Sequence, residues 1–478
     1  MIVLYIILAV LVIFFGIIFI RTAMFKPKPA VEIFDNEEIF DKQQTVENLR
    51  TLVRFKTISY RDSEKEDDSE FQKLIDSLPT LYPHVFKTCE FTRLPDRALL
   101  FRWAGKSQGD ASVLMAHYDV VPVNEEMWDK PAFDAILEDG VIWGRGTLDT
   151  KVTFNGILFA ANHLIAQGFV PQNDIYLAFS GGEEINGDGA KNIVDYFEDN
   201  NINLALVIDE GGAVVEGVFP GVKTPCGLIG IAEKGMIDIK YETKSAGGHA
   251  SAPKPHTPVG VLSKACAKIE ANPFKCHITK PVAEMFDTLG RHSSLLYRMI
   301  FANMWLFSPV LALLGKIQGG EMNALLRTTV AFTQMQGSSA ANVIPPKASM
   351  VSNIRLNPKD TIDSALEYLK KTIKDDSIEL SVISGMNPSR ISQTNCDAYN
   401  KVAKAVASTW RGCLVSPYLM VQCSDCRHYG RISDKVYRFS AMDLTSEERS
   451  TIHGNNERIR VESVHKATEF FIRIIKQC

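Results

Sequence analysis

Two rhythms of apolar and polar positions divide this chain. From residue 97 to 228, short apolar runs (SVLMAHYDVV, NDIYLAFS, LALVID) alternate with segments of helical spacing (FNGILFAANHLIAQG, AKNIVDYFEDN). Continuous apolar runs of that length read as strands buried on both faces. Their alternation with helices predicts an α/β fold, with a mixed, largely parallel sheet carrying helices on both faces. At about residue 229 the pattern changes. MIDIKYETKS alternates in and out, HTPVGVLSKACAKIEA has amphipathic helical spacing, and VAFTQMQG and KASMVSNIRL read as further strands. Such a set predicts a small α+β domain. From about 356 the first rhythm resumes and ends in the amphipathic VESVHKATEFFIRIIK. The expected organisation is one discontinuous domain, 45–228 with 356–478, interrupted by an inserted domain at 229–355.

Residues 1–20, MIVLYIILAVLVIFFGIIFI, carry no charge. About 20 apolar residues span a bilayer as a helix. The segment has no basic residue before it and no small-residue cleavage site, which favours an uncleaved transmembrane anchor over a signal segment. A polar, proline-bearing stalk occupies residues 21–44. The expected locations are a single-pass membrane anchor, or a secreted or lumenal protein if the segment is removed. Arg21, Lys26 and Lys28 lie just past the span, and by the positive-inside rule they draw the downstream chain to the cytosol. Inside the insertion, LLYRMIFANMWLFSPVLALLGKI is strongly apolar but interrupted by Arg298, Asn303 and Ser308-Pro309. It is too broken for a transmembrane helix. It reads either as a buried or dimer-facing helix pair, or as a greasy surface for an acyl chain or a membrane.

The formal net charge of -4 gives no reason to expect a nucleic-acid partner. The nine cysteines are scattered and odd in number, which argues against a disulfide framework. Cys423 and Cys426 form a CxxC without a second pair.

The chemistry lies where predicted strands give way to loops, the edge at which open α/β sheets place ligand-binding groups. His117 and Asp119 stand in AHYDVVP, Asp149 in WGRGTLDTK, Glu183 and Glu184 in FSGGEEING, Asp209 in VIDEGG and His453 in TIHGNNERI. Carboxylates and imidazoles in this mix suit two Zn2+ ions, one carboxylate bridging them and a base that is not itself a ligand. Asp149 suits the bridge, His117 and Asp209 one ion, Glu184 and His453 the other. Asp119, two residues from His117, is placed to accept the histidine's other N–H and hold its tautomer. Glu183 is the expected general base.

With these motifs, and with GGHASAP and ANVIPPKA, the chain resembles the di-zinc aminoacylase, carboxypeptidase S and acetylornithine deacetylase family of metallopeptidases over about residues 45–478. It is most similar to the branch of carboxypeptidase S and the N-fatty-acyl-amino-acid synthase/hydrolases. The resemblance implies a zinc-peptidase-like catalytic domain, and a lid in the inserted domain that serves as a homodimer surface. It implies that His249 stabilises the oxyanion, that Asn342 stands near it, and that Arg355 grips a substrate carboxylate, a task suited to guanidinium. The implied activity is zinc-dependent hydrolysis, with formation as the reverse, of the amide bond in N-acyl amino acids, N-fatty-acyl ones foremost. The rival expectation is a carboxypeptidase acting on dipeptides or short peptides. Two departures stand out: Thr150 replaces the usual second Asp after the bridging one, and QCSDCRHYG replaces a GGTDSR-like loop, which puts substrate choice in question.

Overall fold

The strand rhythm becomes an eight-stranded sheet. The computed structural model describes residues 1–217 and 219–478. Across the sheet the order is Glu90–Leu94, Ala98–Trp103, Ile175–Ser180, Ala111–His117, Leu204–Val215, Val436–Leu444, Cys226–Glu233 and Leu414–Met420. Four central strands, from Ile175–Ser180 to Val436–Leu444, run parallel, and the strands at both sides mix directions. Ala111–His117 and Ile175–Ser180 are buried at every position, which is why their sequences show no alternation.

Helix Lys151–Ala166 packs under this sheet, with most of its residues buried. The C-terminal helix Val461–Ile475 lies against it. Gly156 permits that approach, since a Cβ there would meet the Phe471 ring at 3.0 Å. Helix Lys42–Val53 joins the same layer through Leu49, Leu52 and Val53.

A second sheet of four antiparallel strands runs in the order Thr329–Gln336, Lys347–Leu356, Gly235–Lys244, Ile378–Met386. Burial alternates strictly along Gly235–Lys244, as a strand with one covered face requires. Helices Pro258–Ala271 and Ile362–Ile373 cover that face, where Leu262, Ile269 and Leu369 meet Ile237, Ile239 and Tyr241.

Strand pairing divides the two sheets at other positions than the expected insertion boundaries, and Cys226–Glu233 keeps residues 229–233 in the large sheet. The small sheet does not stop at residue 355: helix Ile362–Ile373 and strand Ile378–Met386 belong to it. The helical return after 356 resembles the βα rhythm of the large layer, and only strand pairing separates the two. Conversely, residues 280–326, central to the expected insertion, pack on the large layer. Val282, Met285, Phe286, Leu289, Phe301, Leu325 and Leu326 enter its core, and helix Lys280–Gly290 lies against strand Leu414–Met420.

Helix Ile2–Met24 is long and apolar enough to cross a membrane, or to act as a signal sequence, and only 6% of its most apolar window is buried. All nine cysteines are free thiols.

Candidate active site

Three parallel strands end at one edge of the large sheet and deliver the acidic loops there. His117 closes strand Ala111–His117, the turn Glu183–Ile185 comes after strand Ile175–Ser180, and Asp209 and Glu210 lie within Leu204–Val215. Asp149 just precedes helix Lys151–Ala166, and His453 comes after helix Ser446–Thr451.

The loop before Asp149 is built around one buried carboxylate. Glu457 accepts the N–H groups of Gly146 (3.0 Å), Leu148 (2.7 Å) and Asp149 (3.2 Å), and the Arg145 guanidinium at 2.6 Å. Gly146 sits at φ +85°, a conformation that L side chains rarely adopt. Asp119 organises the opposite wall. Fully buried, it accepts from the Ser59 hydroxyl (2.6 Å) and from the backbone N–H groups of Glu183 (3.1 Å) and Glu184 (3.2 Å). The His117 Nδ1 lies 3.0 Å from the Asp119 carbonyl oxygen, so Nδ1 as the donor leaves Nε2 facing the cluster.

Asp149 lies between both imidazoles: His117 Nε2 is 2.9 Å from its Oδ1, and His453 Nε2 is 3.0 Å from its Oδ2. His453 also stands 3.0 Å from Glu184 Oε2. On the other side, His117 Nε2 is 3.3 Å from Glu210 Oε1. Two groups of donor atoms result, each within 4.8 Å of one another: His117, Asp149 and Glu184, and His117, Glu183 and Glu210.

The electrostatics express crowding. Burial pushes the Glu210 carboxyl up to about 8, against the pull of His117. Burial raises Glu183 well above the usual carboxylate range, and Asp425, Glu210 and Glu184 push it the same way. His453 is raised to about 10 by its bonds to Asp149 and Glu184. Burial alone would depress His117, yet Glu210, Asp119 and Asp149 hold it well above the ordinary histidine value. Buried acids in this number need positive charge beside them. Zinc–ligand distances of about 2.0–2.2 Å put neighbouring donors ~3–4 Å apart, the spacing found here, so the donor set fits divalent cations.

The expected metal ligands and the expected base therefore converge, Asp209 excepted. Asp209 is turned away: its Oδ2 accepts the backbone N–H of Cys426 at 2.8 Å, and its neighbour Glu210 faces His117. Successive residues of a strand point to opposite faces, so only one carboxylate of the Asp-Glu pair can reach the site. The sequence signal was present, but it does not say which. Two other residues had no assigned role: Glu457, inside the HGNNE motif, and Arg427, which sits 3.8 Å from Asp425 and lies within the field of Glu183.

Arg355 reaches the neighbourhood from the small sheet. Its Nη1 lies 3.5 Å from Cys423 Sγ in the QCSDCRHYG loop, and the charges of Glu183 and Arg355 both act on that thiol. His249 and Asn342 stand together but apart from the cluster. Strand Gly248–His249 pairs with Val343–Ile344, and Ala250 N–H donates to the Asn342 carbonyl at 2.9 Å. His249 is exposed, with Nδ1 2.7 Å from the Ser251 hydroxyl, and among the described residues no hydrogen bond joins it to the acidic cluster.

Comparison with known proteins agrees with this architecture. The profile of "Peptidase family M20/M25/M40" matches residues 113–477. A probable carboxypeptidase S-like 2 of Dictyostelium discoideum is 33% identical over 471 residues, 96% of this chain and 90% of that protein. The N-fatty-acyl-amino acid synthase/hydrolase PM20D1 of Xenopus tropicalis is 33% identical over 434 residues, 90% of this chain and 84% of that protein. Among solved structures, an M20 family metallo-carboxypeptidase from Sulfolobus solfataricus superposes with a TM-score of 0.65 at 19% identity, covering 90% of this chain and 98% of that one.

Proposed function

The chain belongs to peptidase family M20/M25/M40, and on that premise we propose that it is a di-zinc amidase cleaving N-acyl amino acids, with long acyl chains as its natural substrates. One observation carries this reading. A metal-type acidic cluster and a guanidinium that can grip a carboxylate are joined by one loop, where Cys423 touches Arg355 at 3.5 Å and the Cys426 N–H donates to Asp209, next to Glu210, at 2.8 Å. A substrate anchored there by its own carboxylate presents the neighbouring amide to the cluster. The relative named as an N-fatty-acyl-amino acid synthase/hydrolase supports the acyl preference.

In this reading Asp149, His117 and Glu210 would hold one ion, and Asp149, Glu184 and His453 the other. Bound there, the ions supply Lewis-acid polarisation of the amide carbonyl and acidify a water. Glu183 takes the proton of the attacking water on its carboxylate and passes it to the nitrogen of the leaving amine. Asp119 acts through others, holding the His117 ring and the Glu183–Glu184 backbone in register. His249 and Asn342 serve the developing oxyanion. The exposure of His249, and its lack of a hydrogen bond to the cluster among the described residues, support delivery from the small sheet of a second copy, or by closure of the small domain as a lid. The N-terminal helix serves as a single-pass anchor, and the 235–386 segment, apart from the helices on the large layer, acts as the separate domain.

The match to a carboxypeptidase S-like protein favours a second reading, cleavage of dipeptides or short peptides by the same groups. Turnover of the zinc-loaded protein on a long-chain N-acyl amino acid and on a dipeptide separates the two. Faster cleavage of the acyl amino acid is the expected result; faster dipeptide cleavage makes the protein a carboxypeptidase.

A further inference from the structure

The apolar segment within residues 295–318 forms two helices, Leu295–Ala302 and Met304–Gln318, bent by 108° at Asn303. One stripe of the second helix is formed by Trp305, Pro309, Val310, Leu313, Leu314 and Ile317, and all six are exposed. Their spacing matches the helical period, so the apolar stripe is the outward one and the inward face holds Gly315. Trp305 is 54% exposed, Leu313 56% and Ile317 71%. Leu295 and Leu296 extend the surface onto the first helix. This inverts the usual order, in which a helix hides its apolar stripe. A contiguous exposed apolar surface marks an interaction site.

The N-terminal helix identifies the partner. Phe14, Ile18 and Thr22, spaced four apart, are among its few covered residues, and they form the seam against this same helix pair. Asn303 donates to the Ile18 carbonyl and to the Thr22 hydroxyl, both at 3.3 Å. Arg21 Nε donates to the Ala302 carbonyl at 3.1 Å. Phe14 meets the Trp305 ring edge-on at 6.0 Å between centroids. Below the seam, Arg291 stacks on Phe25 at 4.3 Å and donates to the Lys26 carbonyl, while Lys28 pairs with Asp287 at 2.7 Å. The body is thus clamped to the end of the helix, not hung from it by a loose tether.

We infer that the outward stripe of helix Met304–Gln318 is seated in the same bilayer that the N-terminal helix crosses, so that the enzyme rests on the membrane by two apolar elements. This rests on the reading of that helix as an anchor. The depth is set by the contact: Phe14 precedes Arg21 by seven residues, about 10 Å along a helix axis. With Arg21 at the headgroup level, Trp305 beside Phe14 lies inside the hydrocarbon. Amphipathic helices seated this way bury their apolar face ~5–10 Å below the headgroup boundary. Lys316, exposed next to Ile317, has the reach to extend its ammonium to the headgroups.

The test uses the full chain reconstituted in phosphatidylcholine vesicles, with ordinary or acyl-brominated lipid, bromine quenching any tryptophan it touches. Wild type minus Trp305→Phe gives the emission of Trp305 alone among the five tryptophans. The expected result is flotation with the vesicles and loss of the Trp305 emission in brominated lipid. A Trp305→Phe/Leu313→Trp variant reports the far part of the stripe and should be quenched as well. Flotation with unquenched emission at both positions overturns the inference while leaving the anchor intact; a dimer of a Leu313→Cys variant joined by a bismaleimide in that case gives the stripe to a second copy. Failure to float overturns the anchor and the inference together.

Discussion

Glu210 Oε1 lies 3.3 Å from His117 Nε2, while the adjacent Asp209 carboxylate is committed to the N–H of Cys426. The two acids of IDEGG therefore have separable tasks. Glu210→Ala should lower the bound zinc of the purified protein and weaken metal affinity by at least about 100-fold, the upper end of what outer-sphere changes cost. Asp209→Asn should keep the metal and instead disturb the 423–431 loop only mildly, since an amide oxygen can still accept from Cys426. Metal analysis of the two variants decides. Loss of metal in Asp209→Asn with retention in Glu210→Ala would restore the assignment read from the sequence.

Glu457 and Arg145 form a buried ion pair at 2.6 Å, with side chains exposed by 0% and 3%. Replacing one partner leaves an uncompensated buried charge, at a cost of about 3–5 kcal/mol. Glu457→Gln should therefore lower the unfolding free energy by that order, although Glu457 touches no proposed metal ligand with its side chain other than through the Asp149 backbone N–H. Denaturant unfolding of the metal-free form isolates the effect from metal binding. An unchanged midpoint would show that the carboxylate is dispensable to the loop.

Legibility in the sequence depended on the kind of force involved. Strands such as Ala111–His117 and helices such as Val461–Ile475 were legible because burial writes its period directly into the residue order. The convergence of His117, Asp149, Glu184 and His453 was legible because metal chemistry restricts residue type. The choice of Glu210 over Asp209 was not, since it depends on which sheet face each side chain takes. Nor was the extent of the small sheet: strand Ile378–Met386 joins it by pairing with Gly235–Lys244, a long-range contact that local pattern does not encode. The separation of His249 from the cluster likewise belongs to tertiary placement.

Lys234 gives a pH dependence outside the metal ligands. Buried, with its ammonium donating to the Ala324 and Arg327 carbonyls at 2.8 Å each, it is lowered to about 7 by burial and by Arg355. Between about 7 and the ordinary lysine value, the unfolded chain binds the proton that the folded chain has lost. Stability should therefore rise with pH across that window, by at most about 1.4 kcal/mol per unit. Lys234→Met should remove that part of the slope. Unfolding curves for both proteins from pH 6 to 10 test it, and parallel profiles would refute it.

Glu183 makes its backbone bond to Asp119 and keeps its carboxylate in the cluster. On the proposed role of Glu183 as the base, Glu183→Gln should retain the bound metal and fold normally while kcat falls by ~10²–10⁴. Full loss of one metal equivalent in that variant would make Glu183 a ligand, and retained turnover would move the base elsewhere.

The proposed grip of Arg355 on the substrate carboxylate can be tested apart from the chemistry. Its Nε bonds Asn353 at 3.2 Å and its Nη1 contacts Cys423, an arrangement that fixes the plane of the guanidinium towards the loop. A carboxylate held by that plane makes two parallel bonds, and lysine supplies a point charge without the fork. Arg355→Lys should raise KM by about 10-fold or more, the loss of one charge-assisted bond worth ~1.5–3 kcal/mol, with a smaller change in kcat. An amidated substrate, lacking the free carboxylate, should then be cleaved equally poorly by wild type and variant. If the variant instead loses kcat at unchanged KM, Arg355 acts on the transition state, and the grip on the substrate's free end must come from another residue, with Arg427, a guanidinium within the field of Glu183, first in line.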